Sequence, residues 1–300
     1  MKNQTYRKQV QLLLDVLPEV AKESCFALHG GTAINLFVRD LPRLSVDIDL
    51  TYIPIEDRPT TLSNISSALV RIKNHIEKIL PNMRIQHKED IGKLIVSSQG
   101  AEIKIEVNLV GRGIISESVT MVLCDKAQDE FKAFVEMSIV PLGQLYGGKI
   151  CAALDRQHPR DLFDIKYLLK NEGFSDAVRR GFLFCLLASD RPINEIITPN
   201  FHDHHKAMDN QFAGMSDETF LYEEFEATRE TLVEVVHKNL TDNDKEFLLS
   251  VKNATPDWSL YDFEKYPAVR WKLQNLQKLK TNNPTKHKIQ YNALEEKLNG

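Results

Sequence analysis

The sequence predicts an α+β fold: a mixed sheet with helices against it, followed by a helical C-terminal part. Three observations predict it. Short apolar runs of strand length alternate with helical periodicities up to about residue 110. Beyond Pro141 nearly every apolar segment has helical spacing. Breakers at Pro159, Gly173 and Pro192 then cut that region into separate helices.

Taken in order, Val10, Leu13, Leu14, Leu17 and Val20 space an amphipathic helix over 7–23. Residues 25–28 read as a short buried strand entering the Gly30-Gly31 turn, 32–38 as a helix, and 44–53 as a strand. A helix over 62–80 carries Ile65, Leu69, Ile72, Ile76 and Ile79 on one stripe. Strands follow at 83–87, 93–98 and 103–110, the last two joined by the turn signal Gln99-Gly100. Helices are expected at 142–156, 159–170, 175–188, 217–240 and 241–253, with an irregular polar crossing over 189–216. Asn171-Glu172-Gly173 ends a helix, so two domains are expected: 1–172 with the sheet, and 173–300, helical with a basic tail.

With 42% apolar and 27% charged residues, the composition is that of an ordinary globular protein. A net charge of −4 argues against a wholly basic nucleic-acid coat and leaves room for a local basic patch. Such a patch exists, because residues 270–300 hold seven Lys/Arg against two Glu, while the rest of the chain holds 31 basic and 40 acidic residues. Trp271 and Tyr291 lie among those lysines, a composition suited equally to RNA contacts and to a solvated helix face. Cys25, Cys124, Cys151 and Cys185 form no C-x-x-C pair and read as free thiols in a reducing compartment. No apolar run approaches the ~18–20 residues of a membrane span and the N-terminus is polar, so a cytoplasmic protein is expected. His202-Asp203-His204-His205 reads as a solvated loop, since no cysteine lies near to complete a zinc site.

The most informative stretch is 29–50. Gly30-Gly31 permits a tight turn and close backbone approach. The N–H groups of the helix that starts at Thr32 favour an anion at that turn. Asp47 and Asp49 are two apart in a strand, so both carboxylates leave one face, a poor core and a good seat for Mg²⁺ beside a triphosphate. Lys104, Glu106 and Asn108 share one face of their own strand by the same alternation. Lys149 lies on the buried stripe of its helix behind Gly147-Gly148, a pair that would let that helix approach a ligand or another backbone closely. Asp161 suits the first turn of the helix opened by Pro159, whereas Asp164 is too far along for the helix dipole and needs a partner.

Gly-Gly, a helix, then Asp-x-Asp on the next strand resembles the hallmark of the nucleotidyltransferase-fold superfamily. Within it the chain is similar to the AbiEii/AbiGii (MenT-like) toxin group, because Arg43-x-Ser45-x-Asp47-x-Asp49, the Lys149–Arg156 segment and Arg160-Asp161-Leu162-Phe163-Asp164 match its blocks in order. The resemblance covers roughly residues 25–170. Fourteen residues separate Thr32 from Asp47, somewhat more than in the most compact members of the superfamily. It implies a nucleotidyltransferase-like sheet domain and a Mg²⁺-dependent transfer of a nucleotide from an NTP. It further implies Asp47, Asp49 and Glu106 as metal ligands and Asp47, Glu106, Lys149 and Asp164 as catalytic residues. Gly30, Gly31, Thr32, Arg43, Ser45, Lys149 and Arg160 would contact the nucleotide. The implied acceptor is the 3′ end of tRNA and the implied role is the toxin of a toxin–antitoxin or abortive-infection pair, acting in phage defence, with a separately encoded antitoxin. Transfer onto a protein hydroxyl, or a nucleotide-binding regulatory module without turnover, are the competing readings.

Overall fold

A computed structural model describes residues 2–299. The chain forms two compact units, residues 1–145 with 209–219, and residues 146–208 with 220–300.

The first unit is built on one seven-stranded mixed sheet. Its strands are β1 (Phe26–His29), β2 (Asp47–Tyr52), β3 (Arg84–Lys88), β4 (Lys93–Ser98), β5 (Ala101–Val107), β6 (Val119–Val122) and β7 (Glu136–Ile139), in the order β3-β4-β5-β2-β1-β7-β6. β2 runs antiparallel to β1 and parallel to β5, and β1 runs parallel to β7. Helices α1 (Lys2–Ala21) and α3 (Arg58–Ile79) pack on the sheet, where Ile48, Leu50, Leu94, Val96, Ile103 and Ile105 are buried. The short α2 (Gly30–Ala33) continues into a π-turn over Ile34–Val38, so the expected helix after the glycines is present. α4 (Asp125–Phe131) lies between β6 and β7. Segment 209–219 belongs here because it is tied to the loop before β2: Leu44 N–H donates to Met215 O, and Ser216 Oγ to Pro42 O.

The second unit is helical. Its elements are α5 (Leu142–Arg156), whose first turn lies in the first unit, α6 (Pro159–Asn171), α7 (Asp176–Ala188), α8 (Ile193–Ile197), α9 (His205–Ala207), α10 (Tyr222–Asn239), α11 (Asp242–Lys252), α12 (Pro267–Asn282) and α13 (Pro284–Asn299). The compact units divide inside α5. The reason is α5's packing: a Cβ at Gly147 would lie 2.2 Å from the Gly181 carbonyl carbon and 2.4 Å from Phe182 N. Backbone therefore meets backbone between α5 and α7, and α5 and α6 join the later helices. The stretch 189–216 is less irregular than expected, since α8, α9 and a π-turn at Met208–Phe212 fall in it. Among the described residues no helix is long and apolar enough to cross a membrane.

Candidate active site

In the first unit the glycine turn and the two aspartates are assembled around one another. Gly30 opens α2 with φ +75°, a left-handed conformation that glycine adopts without strain. A Cβ there would lie 2.6 Å from Asp49 Oδ2, so the turn is pressed against that carboxylate. Gly31 is packed from the other side: its Cβ would lie 2.7 Å from Arg43 Nη2 and 2.9 Å from Ser45 Oγ. Thr32 Oγ1 donates to the Asp47 carbonyl oxygen at 2.5 Å and lies 3.1 Å from Ser45 Oγ. Asn35 Nδ2 donates to Gly31 O at 2.9 Å. Arg43, Ser45, Thr32 and Asn35 are all buried. The residues between Thr32 and Asp47 are thus occupied by the π-turn and by a loop that returns Arg43 and Ser45 beneath the glycines.

The sheet register places the carboxylates. Asp47 pairs with Lys104 and Asp49 with Glu106 across the parallel β2/β5 ladder, while Asp49 also lies opposite His29 and Glu106 opposite Lys93. Because the side-chain period is two, one row runs Lys93, Glu106, Asp49, His29 along a single face. Asp47 and Asp49 are half-buried, with Ile48 and Leu50 fully buried on the other face, as the alternation predicts. Glu106 shares the face, but its carboxylate forms an ion pair with Lys93 Nζ. Lys104 is exposed. His29 Nδ1 lies 3.0 Å from Thr51 Oγ1. Among the described residues no three His, Cys, Asp or Glu side chains converge as a metal cluster. The donor set of this unit is therefore the pair Asp47 and Asp49, beside a turn whose missing Cβ leaves Asp49 accessible. One or two carboxylates completed by substrate phosphates and water is the donor set Mg²⁺ takes, so the residues fit that ion without Glu106.

The second unit gathers another cluster. Lys149 Nζ lies 2.9 Å from Asp161 Oδ1 and 3.0 Å from Asp164 Oδ2; the lysine is 6% exposed and each carboxylate 1%. Arg156, reaching in from solvent, donates Nε to Asp161 Oδ2 at 2.5 Å and Nη2 to Oδ1 at 2.9 Å. Burial pushes the Asp161 carboxyl up, but the Lys149 charge and the Arg156 hydrogen bond outweigh it and hold the group well below the usual carboxylate range. The α6 start is fixed locally: Pro159 takes the first helical position, and His158 Nδ1 accepts from Arg160 N at 3.1 Å. Arg160 is half-buried beside the cluster. Gln157, the left-handed residue between α5 and α6, accepts from Arg229 Nη1 at 3.0 Å.

Lys149 and Asp164, both singled out in the sequence, lie in one ion-paired cluster, and Asp161, whose place in the first turn has a sufficient local explanation, joins them. Arg156 is missed because the pair bridges a helix junction and follows no helical spacing. His29 and Lys93 come onto the face of Asp49 and Glu106 through strand pairing, which no local window shows. The His202–His205 loop is tied down by aromatic packing: His205 stacks on Tyr222 at 3.5 Å between ring centroids.

A glycine turn folded onto Asp-x-Asp at the head of a mixed sheet defines a nucleotidyltransferase. The chain belongs to the nucleotidyl transferase AbiEii toxin family of type IV toxin–antitoxin systems, whose family profile matches residues 11–275. Among solved structures it is similar to MenT4, a nucleotidyltransferase toxin from Mycobacterium tuberculosis H37Rv. That match has 13% identity, a TM-score of 0.61, and coverage of 89% of this chain and 91% of that one, a likeness of fold. No curated protein matches it in sequence.

Proposed function

We propose that this toxin transfers a nucleotide from a nucleoside triphosphate to the 3′ end of a tRNA, that it uses Mg²⁺, and that it acts in the cytoplasm under the control of a separately encoded antitoxin. The observation that carries the reading is Gly30 against Asp49. Only a residue without a Cβ keeps both the left-handed turn and the carboxylate where they are, so turn and carboxylates work as one device. Asp47 and Asp49 would hold the ion, and when bound it neutralises charge on the triphosphate and on the departing pyrophosphate. The first-turn N–H groups of Gly31 and Thr32 would take the phosphates, and Arg43 and Ser45 pack against that turn. Glu106 enters as third carboxylate or base by leaving Lys93. Lys149 has two partners and an ammonium has three protons, so one donor remains for a phosphate oxygen while Asp164 orients it. Arg160 supplies a further phosphate contact.

The test is incubation with each α-labelled NTP, with and without total RNA. Label is expected in RNA of tRNA size and only where a free 3′ hydroxyl exists, and Asp47→Ala should abolish it with the fold intact. Label solely in protein would make a protein hydroxyl the acceptor. NTP bound with no label anywhere would make the chain a regulatory module.

A further inference from the structure

The second unit holds a cavity of about 220 Å³ that the transfer site does not use. Lys252 at the end of α11, Trp271 and Lys272 on α12, Gln290 on α13, and Asp190 and Arg191 after α7 line it.

Lys252 is the unusual residue. It is 2% exposed, and among the described residues its ammonium makes one hydrogen bond, to Gln290 Oε1 at 2.7 Å, and no ion pair. Two of its three protons therefore have no protein acceptor among the described residues. Burial pushes its amine down to about 8, against a weak pull from Glu195. Lys272 stands close enough to be felt by charge and is likewise lowered to about 8 by burial. Its own protons are satisfied by the carbonyl oxygens of Leu186, Ser189 and Arg191 at 2.7–3.2 Å. Lys272 thus contributes field, and Lys252 contributes field and free donors. Asp190 lies on the same wall, and Arg191 is drawn off by Asp155 and Glu195. Trp271 lines the cavity with 49% of its surface open, a stacking face next to the buried amines. Two cations, one aromatic face and the amide of Gln290 match the parts of a nucleotide unit: a phosphate, a base plane and a base edge. The volume lies below the ~300 Å³ at which whole small-molecule sites begin, too small to enclose a triphosphate.

We propose that this cavity binds one nucleoside phosphate unit, with its phosphate on Lys252 and its base against Trp271, and that the unit is part of a single RNA strand. The RNA occupant rests on the acceptor reading above; the site itself does not, and its test reads binding alone.

The experiment uses the full chain carrying Trp258→Phe, so that Trp271 is the fluorescent reporter. It is titrated with a short single-stranded RNA and, separately, with AMP. RNA is expected to quench Trp271, and Lys252→Met to weaken binding at least about tenfold. Because that change removes an under-partnered buried charge, its melting temperature should hold or rise. Trp271→Ala, at a half-exposed position, gives the second measurement through anisotropy of labelled RNA, with a similar loss. AMP binding as tightly as RNA and equally sensitive to Lys252 would keep the phosphate site and overturn the strand as its occupant. RNA binding unchanged in both variants would overturn the site, even if nucleotide transfer to RNA were established.

Discussion

Replacing Lys149 with Met separates scaffold from chemistry in the second cluster. The change withdraws the cation shared by two carboxylates that are each 1% exposed, while Arg156, 60% exposed, still holds Asp161. Breaking a buried ion pair costs about 3–5 kcal/mol, and the retained Arg156 contact places this case near the lower end, about 3 kcal/mol. At about 2–4 °C per kcal/mol, the melting temperature should fall by roughly 6–12 °C. Adding Asp161→Asn and Asp164→Asn should restore part of that loss, since the stranded negative charge goes with them. The pH dependence checks the same pair. Asp161 is depressed below its ordinary 3.8, so its stabilisation is present above that value and is lost as the pH falls below it. Without Lys149 the carboxyl is less depressed, so less stability rides on its ionisation and the acid loss of stability through Asp161 should be smaller in the variant than in the parent. Transfer is then measured well below both melting points, per folded molecule, where a lost phosphate contact predicts a drop of about a hundredfold or more. A melting temperature within about 2 °C of the parent would refute the ion-pair energetics. An unchanged rate in the folded variant would reduce Lys149 to scaffold and leave the nucleotide to the first unit.

Two further substitutions probe the glycines. Gly30→Ala at φ +75° costs about 1–2 kcal/mol of backbone strain and drives a methyl into Asp49 Oδ2, so transfer should collapse while melting shifts by only a few degrees; full activity in this variant would remove the glycine turn from the site. Gly147→Ala meets backbone atoms at 2.2–2.5 Å, which cannot rotate away, so it should destabilise by at least about 1–3 kcal/mol; a calorimetric scan matching the parent would show that α5 and α7 do not pack as described.

What could be read in the sequence was whatever local physics determines. β2 is legible because Ile48 and Leu50 alternate with Asp47 and Asp49, and α5 because its apolar stripe runs the full length of the helix. The start of α3 falls four residues earlier than its apolar stripe suggests, because Asp57 caps it through Thr60 N and Pro59 lies in its first turn. β6 gives no alternating pattern: among the described residues it is an edge strand paired with β7 alone, and three of its four residues are exposed. Helices α12 and α13 are hidden by their lysines, since few apolar positions, chiefly Val269, Leu276, Leu294 and Leu298, face inward. Gly147 meets Gly181, thirty-four residues away, and no local window contains that contact.

The same limit explains why the two halves of the motif behave differently as chemistry. Asp47, Asp49 and Glu106 lie on a half-open sheet face, where a half-exposed ion pair such as Lys93 with Glu106 is worth on the order of 1 kcal/mol. These carboxylates can exchange a side-chain partner for a ligand at little cost, as the metal and triphosphate site proposed above would need. Lys149, Asp161 and Asp164 cannot do so: with the carboxylates 1% exposed, parting them costs several kcal/mol. If the second cluster takes part in transfer, it acts preassembled, lending a fixed charge and one remaining donor. Its substitutions should then lower the transfer rate more than they raise the KM for NTP, whereas substitutions at Asp47 and Asp49 should affect both.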